Sequence, residues 1–223
     1  MIICIANILT AEELELIINS LKNAEFVDGK LTAGWYAKQV KNNAQLKNDA
    51  AQTQEIRTIV NQALKRNSLF QIAARPKALR PIIFSRYQVG MYYGTHIDNA
   101  IMGDEKLTRS DLSLTLFLSN PASYAGGELV IESTQGEQAF KLDAGSMVVY
   151  PTTTLHRVEP VTEGERLVAV TWVQSLVRDA HNREILFDLD TVRDILFQKS
   201  GKTAEFDLLS KSIANLLRKW ADV

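Results

Sequence analysis

Leu14, Ile17, Ile18 and Leu21 recur at three- and four-residue intervals, which gathers them on one helical face and predicts a helix over residues 11–23. Thr10 supplies a capping hydroxyl and Glu13 the carboxylate three residues on, the signature of a helix start. Phe26 to Leu31 contains Asp28-Gly29, a turn signal between two strands. A second helix is predicted over 51–66, with Ile56, Ile59, Val60 and Leu64 on its buried side. From about residue 78 the spacing changes to short strands. Ile82–Tyr87, Leu112–Leu118, Glu128–Ile131, Gln138–Leu142, Ser146–Tyr150, the segment around His156–Val158 and Arg166–Val173 are separated by turn signals such as Asn120-Pro121, Gly126-Gly127, Gln135-Gly136, Ala144-Gly145 and Glu163-Gly164. Helical spacing returns past Arg178 through Ile185, Leu189, Val192 and Leu196, and a last helix is predicted near 203–221. The pattern predicts a mainly β protein with flanking helices (α+β), its core a sandwich or jelly roll rather than a parallel sheet. Three regions are expected: an N-terminal helical and strand support over 1–77, a β core over 78–178 and a C-terminal helical extension over 179–223.

Composition narrows the setting. The 223 residues, 46% of them hydrophobic, suffice for a sizeable core. Lys plus Arg number 25 and Asp plus Glu 26, so no global field recruits nucleic acid or an anionic membrane, and neither is expected as a partner. Cys4 is the one cysteine, which excludes an internal disulfide and fits a reducing compartment. The apolar start Met1–Leu9 lacks a basic leader and runs into Glu12, Glu13 and Glu15, so it reads as a first strand rather than a signal peptide. A soluble, cytoplasmic protein is expected. Leu216, Leu217 and Trp220 form an apolar stripe near the end, read as core or as a surface for homo-oligomer formation.

Only three histidines are present, and two of them lie in suggestive places. His96 and Asp98 are two apart, and on a strand or strand end positions i and i+2 share a face, with Cα atoms about 6.5–7 Å apart. An imidazole and a carboxylate so placed converge on one ion. His156, at the start of a later β segment, closes the set if the fold brings the strands together. Two histidines and one carboxylate form a facial triad with open positions, the arrangement of non-haem iron(II) oxygenases. A structural zinc site would more often recruit thiolates, which Cys4 alone cannot supply. The competing reading makes His96 a turn cap, and Asp98 with Asn99 turn formers. His181 reads as a surface residue.

Arg166 stands ten residues after His156, across an expected hairpin from Glu159 to Glu165, at the head of a β-branched strand. A guanidinium facing a core needs an anionic partner, and it grips a carboxylate with two parallel hydrogen bonds. 2-Oxoglutarate suits this arrangement, with its keto-acid end on iron and its far carboxylate on Arg166. The alternative leaves Arg166 at a strand end, facing solvent and paired with Glu163 or Glu165.

Taken together, Arg86-Tyr87 … Gly90 … Tyr93 … His96-x-Asp98, Gly126-Gly127-Glu128-Leu129, Gly145-Ser146-Met147-Val148-Val149-Tyr150-Pro151 and His156-x-Val158 … Gly164-x-Arg166 resemble the prolyl-4-hydroxylase branch of the iron(II)/2-oxoglutarate oxygenases. More narrowly, the chain is similar almost throughout to the bacterial PKHD-type hydroxylases, often found beside iron-uptake receptors. Val40-Lys41-Asn42-Asn43 and Gln174-Ser175 … Arg178-Asp179 … Leu186-Phe187-Asp188-Leu189-Asp190 belong to that similarity. The resemblance implies a double-stranded β-helix (jelly roll, cupin-like) core and iron(II) on His96, Asp98 and His156. It implies 2-oxoglutarate anchored by Arg166 with help from Tyr87, for which a core tyrosine is the alternative. L-Ascorbate (vitamin C) is the reductant that goes with related hydroxylases. Tyr93 and Trp172 are candidates for the substrate pocket, a core indole being the alternative for Trp172. For Lys41, Asn42 and Asn43 a solvated loop is the default. Halogenases of the superfamily lack the carboxylate that Asp98 supplies, and nucleic-acid demethylases usually carry a second Arg where Trp172 stands. The expected reaction is hydroxylation coupled to decarboxylation of 2-oxoglutarate to succinate. The substrate class stays open between a peptidyl or amino-acid-like molecule and a siderophore-like one. Rival readings are a cupin-type metal enzyme without 2-oxoglutarate and a metal sensor on the same barrel.

Overall fold

The computed structural model describes residues 1–47, 51–103 and 105–223. In chain order, β1 (Ile3–Ile5) leads to α1 (Ala11–Lys22), then come β2 (Phe26–Asp28), β3 (Lys41–Asn42), β4 (Ala44–Leu46), α2 (Ala51–Arg66) and α3 (Ser68–Ala74). The β-rich stretch follows: β5 (Pro76–Leu79), β6 (Ile83–Tyr87), β7 (Tyr92–His96), the short pair β8 (Ile101–Met102) and β9 (Thr108–Arg109), and β10 (Leu112–Phe117). It continues with β11 (Tyr124–Gly126), β12 (Leu129–Ser133), β13 (Gly136–Phe140), β14 (Met147–Pro151), β15 (His156–Val158), β16 (Val161–Gly164) and β17 (Arg166–Ser175). Two helices, α4 (Ala180–Ser200) and α5 (Ala204–Trp220), end it.

Two antiparallel sheets make the jelly roll. The larger runs β1-β14-β10-β17-β6-β4-β2 with β5 added to β17, and the smaller runs β13-β12-β15-β7-β3. Period-2 alternation splits the large sheet into two faces. Leu112, Leu114 and Leu116 of β10, Met147 and Val149 of β14, and Ala169 and Val173 of β17 join Ile17, Ile56, Val60, Leu64 and Phe70 in one core beneath the N-terminal helices. The intervening positions Phe117, Val148, Tyr150 and Val168 join Leu129, Ile131 and Val158 in a second core between the sheets. The α1 start is built as expected: Glu13 N–H donates to Thr10 Oγ1 (3.2 Å), and Thr10 N–H to the Glu13 carboxylate (3.0 Å). Leu216, Leu217 and Trp220 pack with Val177, Leu186 and Ile213 in a third cluster, so that stripe is core. Among the described residues no helix is long and apolar enough to cross a membrane.

Three local expectations change. Asp28-Gly29 does not close a two-residue hairpin: Asp28 Oδ1 accepts from Lys30 N–H (2.9 Å) and caps a 3-10 turn over Gly29–Thr32, and β2 pairs with β4 instead. Residues 68–74 form a separate helix, begun by Asn67, whose side chain accepts from Phe70 N–H. The segment from Glu159 to Glu165 is no hairpin between β15 and β17. Its strand β16 pairs with β11, and the chain crosses from the small sheet to the large one.

Candidate metal and co-substrate site

His96 ends β7 and His156 begins β15, and the two strands pair with these residues directly opposite each other. Their ring centroids lie 4.2 Å apart. Asp98 follows just beyond the end of β7, and its Oδ2 is 3.7 Å from His156 Nε2. One donor atom from each of His96, Asp98 and His156 lies within 4.8 Å of the others. Nδ1 of His96 is 2.9 Å from the Gly94 carbonyl, and Nδ1 of His156 is 3.1 Å from that of Thr154. A carbonyl only accepts, so each Nδ1 carries the proton and each Nε2 keeps its lone pair for an ion. Ser113, on the cavity face of β10, donates to Asp98 Oδ2 (2.6 Å) and orients the carboxylate. Ser113→Ala is expected to weaken iron(II) binding about 10- to 100-fold, read by anaerobic titration, without moving the fold's circular dichroism.

Burial, and secondarily His156, hold the His96 imidazole down to about 4, below its ordinary 6.5. Because the folded value lies below the unfolded one, the unfolded chain takes up the proton first as pH falls. The contribution of neutral His96 to stability is therefore complete above pH 6.5 and is lost as pH drops from 6.5 toward 4. Metal-free protein should lose melting temperature across that window, and His96→Gln should flatten the loss. For His96 alone, proton competition with a metal also begins lower than the ordinary histidine value.

Arg166 opens β17, opposite Tyr87 of β6, and is only 1% exposed. Its guanidinium carbon lies 4.9 Å from the Tyr87 ring centroid and 5.5 Å from that of Phe117. Nε and Nη1 have no hydrogen-bond partner among the described residues, and neither has the buried Tyr124 hydroxyl. Such a cation is costly to bury unless a ligand completes it. An anionic group with two oxygens fits that vacancy of hydrogen bonds; a solvent-facing arginine does not describe it. Gly127 (φ +69°) makes room: a Cβ there would lie 3.0 Å from Arg166 Cδ. Burial raises the Tyr87 hydroxyl, with the Arg166 charge opposing.

Both groups open on one cavity of about 650 Å³ between the sheets, which the histidines, Asp98, Arg166, Tyr87, Tyr93 and Trp172 all line. Tyr93 stacks on His96, with centroids 3.6 Å apart and planes at 14°. Trp172 shares the inward face of β17 with Arg166. His181 is exposed in the first turn of α4. The Lys41-Asn42-Asn43 segment is no solvated loop. Lys41 pairs opposite Tyr93 at the edge of the small sheet, and alternation turns Lys41, Asn43 and Gln45 into the cavity while Asn42 is exposed. Neither amide atom of the buried Asn43 has a hydrogen-bond partner among the described residues. A Cβ at Gly29 would fall 1.8 Å from Asn43 Oδ1, so the glycine is what admits this side chain. A polar residue recurring at every second position was the one sequence signal for this wall.

Residues 82–174 match the family described as the 2OG-Fe(II) oxygenase superfamily. A PKHD-type hydroxylase of Gloeothece citriformis is 61% identical over 222 residues, covering 100% of both chains. One from Acaryochloris marina is 56% identical, again over 100% of each. Among solved structures, a prolyl-4-hydroxylase from Pseudomonas putida superposes with a TM-score of 0.55 at 19% identity, over 78% of this chain and 92% of its own. HygX of Streptomyces hygroscopicus, with nickel, 2-oxoglutarate and hygromycin B bound, gives 0.55 at 11% identity, over 78% and 82%. At those identities the two structures speak for the fold alone.

Proposed function

Since the chain belongs to the PKHD-type hydroxylases of the 2-oxoglutarate/iron(II) oxygenase superfamily and is a 2-oxoglutarate-dependent dioxygenase, we propose that His96, Asp98 and His156 hold its iron and that Arg166, with Tyr87, holds the far carboxylate of 2-oxoglutarate. The observation that carries the reading is a buried arginine with unengaged donors at the end of the same cavity in which three metal-donor side chains converge. When bound, iron and 2-oxoglutarate would together activate dioxygen, which is the oxidant: one oxygen atom would enter succinate as 2-oxoglutarate loses carbon dioxide, and the other would enter the substrate as its hydroxyl.

The chain's own residues set up that chemistry. The Gly94 and Thr154 carbonyls fix the histidine tautomers, so both Nε2 atoms are ready without a proton to lose. Ser113 holds one oxygen of Asp98, which restrains the carboxylate's rotation. Tyr93 covers one face of His96 and keeps the ring from swinging. Arg166, fixed by Gly127 and by the Tyr87 and Phe117 rings, orients the co-substrate from its far end. The apolar inner faces of both sheets keep bulk water away and strengthen each charged contact. L-Ascorbate has the role of restoring oxidised iron, and the location proposed is the cytoplasm.

The test is an anaerobic titration with iron(II) and 2-oxoglutarate, followed by admission of oxygen. A visible charge-transfer band and then succinate are expected. Iron binding with neither band nor succinate would overturn the assignment in favour of a metal protein that does not turn over 2-oxoglutarate.

A further inference from the structure

The cavity's charges are one-sided. Among the described residues that line it, Lys41, Arg57, Arg80 and Arg166 are cationic, and Asp98 is the one carboxylate. Asp98 is committed to the histidines and Ser113, and Arg166 stands at the co-substrate end. What remains is a wall with cationic side chains and no anion of its own. Arg57 is engaged with the Ile82 carbonyl (2.8 Å) and Arg80 is only half-buried, whereas Lys41 is buried, which makes Lys41 the informative residue.

Lys41 is only 6% exposed. Its Nζ donates to Thr32 Oγ1 (3.1 Å), and that hydroxyl donates in turn to Gln45 Oε1 (2.6 Å), a neutral chain. Among the described residues it makes no ion pair, although an ammonium has three donors to place. The same Nζ lies 5.1 Å from the Tyr93 ring centroid, so it sits one aromatic ring away from His96. A lysine serving structure alone would be met by a carboxylate or reach solvent, because an unpaired buried cation is strongly destabilising. Burial pulls this ammonium down to about 8, with Asp98 and Asp28 opposing, so it remains mostly charged at neutral pH. It also lies outside residues 82–174, on β3.

We propose that the substrate hydroxylated in this cavity carries a carboxylate, and that Lys41 receives it. The inference rests on the functional reading above and narrows its substrate class. A neutral peptide segment would leave the ammonium without an ion-pair partner in contact, whereas a carboxylate held at Lys41 lies within one ring's breadth of the metal donors.

The probes are benzoate and benzamide, matched in size and differing in charge, titrated calorimetrically into anaerobic protein saturated with iron(II) and 2-oxoglutarate. Saturation with 2-oxoglutarate closes the Arg166 end to the probe. The wild-type protein is expected to bind benzoate at least tenfold more tightly than benzamide. Lys41→Met should bring the ratio close to one, and Lys41→Arg should retain most of it. Equal affinities in the wild-type protein, or a ratio unchanged in Lys41→Met, would overturn the proposal; the wild-type comparison needs no variant to fold. Should the wild-type protein form no iron–2-oxoglutarate complex, the underlying reading fails. Should it form the complex and show no preference for benzoate, only the carboxylate assignment fails.

Discussion

Arg166→Ala is expected to bind iron(II) as the wild-type protein does and to lose 2-oxoglutarate affinity by about two to three orders of magnitude. Truncating one partner of a buried, hydrogen-bonded charge pair costs about 2–5 kcal/mol, and every 1.4 kcal/mol is tenfold. The charge-transfer band should vanish at 2-oxoglutarate concentrations that saturate the wild-type protein, while calorimetric iron binding persists. Arg166→Lys should recover part of the loss, because an ammonium keeps the charge but not the two-pronged grip. Arg166→Met separates ligand binding from folding. In the absence of 2-oxoglutarate the wild-type guanidinium is buried with Nε and Nη1 unengaged, so an apolar side chain of similar length should leave the melting temperature unchanged or raised. Unchanged 2-oxoglutarate affinity in Arg166→Ala would remove Arg166 from the site.

His156→Ala should cost about two orders of magnitude in iron(II) affinity. Structural zinc sites with four ligands are worth about 10–16 kcal/mol, and on that scale one ligand accounts for about 3 kcal/mol. The loss should exceed that from Ser113→Ala, which removes only an orienting hydrogen bond. His156 lies opposite His96 and closes on Asp98, so no neighbouring side chain in the set can take its place. Equilibrium dialysis against iron(II) under nitrogen gives the comparison. Wild-type affinity in His156→Ala would mean that the ion sits elsewhere.

The jelly roll was legible because its strands have one face toward an apolar core, and period-2 alternation survives in β10, β14 and β17. The donors His96, Asp98 and His156 were legible because their chemistry is rare and their spacing suits a strand end. Arg166 was legible because a cation at the head of an apolar strand demands an explanation. Lys41, Asn43 and Gln45 were not. Lys41 and Gln45 sit on strands two and three residues long with Asn43 between them, and their inward face is polar, so the alternation that marks burial elsewhere reads there as a solvated stretch. Only the cavity supplies the reason for polar groups to face in. The β15–β17 crossover failed for a related reason: a tight polar loop and a strand that changes sheets look alike until β11 provides a partner.

His96 and His156 stand opposite each other across two strands that are sixty residues apart in the chain. No short stretch of the polypeptide therefore offers three ligands, and a nascent chain that ends before His156 has no complete chelate. Closing so long a loop is something the hydrophobic faces must accomplish before any ion can reward it. If these three residues hold the iron as proposed, the apoprotein is the species expected to fold, with the metal captured afterwards. Iron-free protein is then expected to be a finished but idle scaffold that begins to work when the metal is supplied.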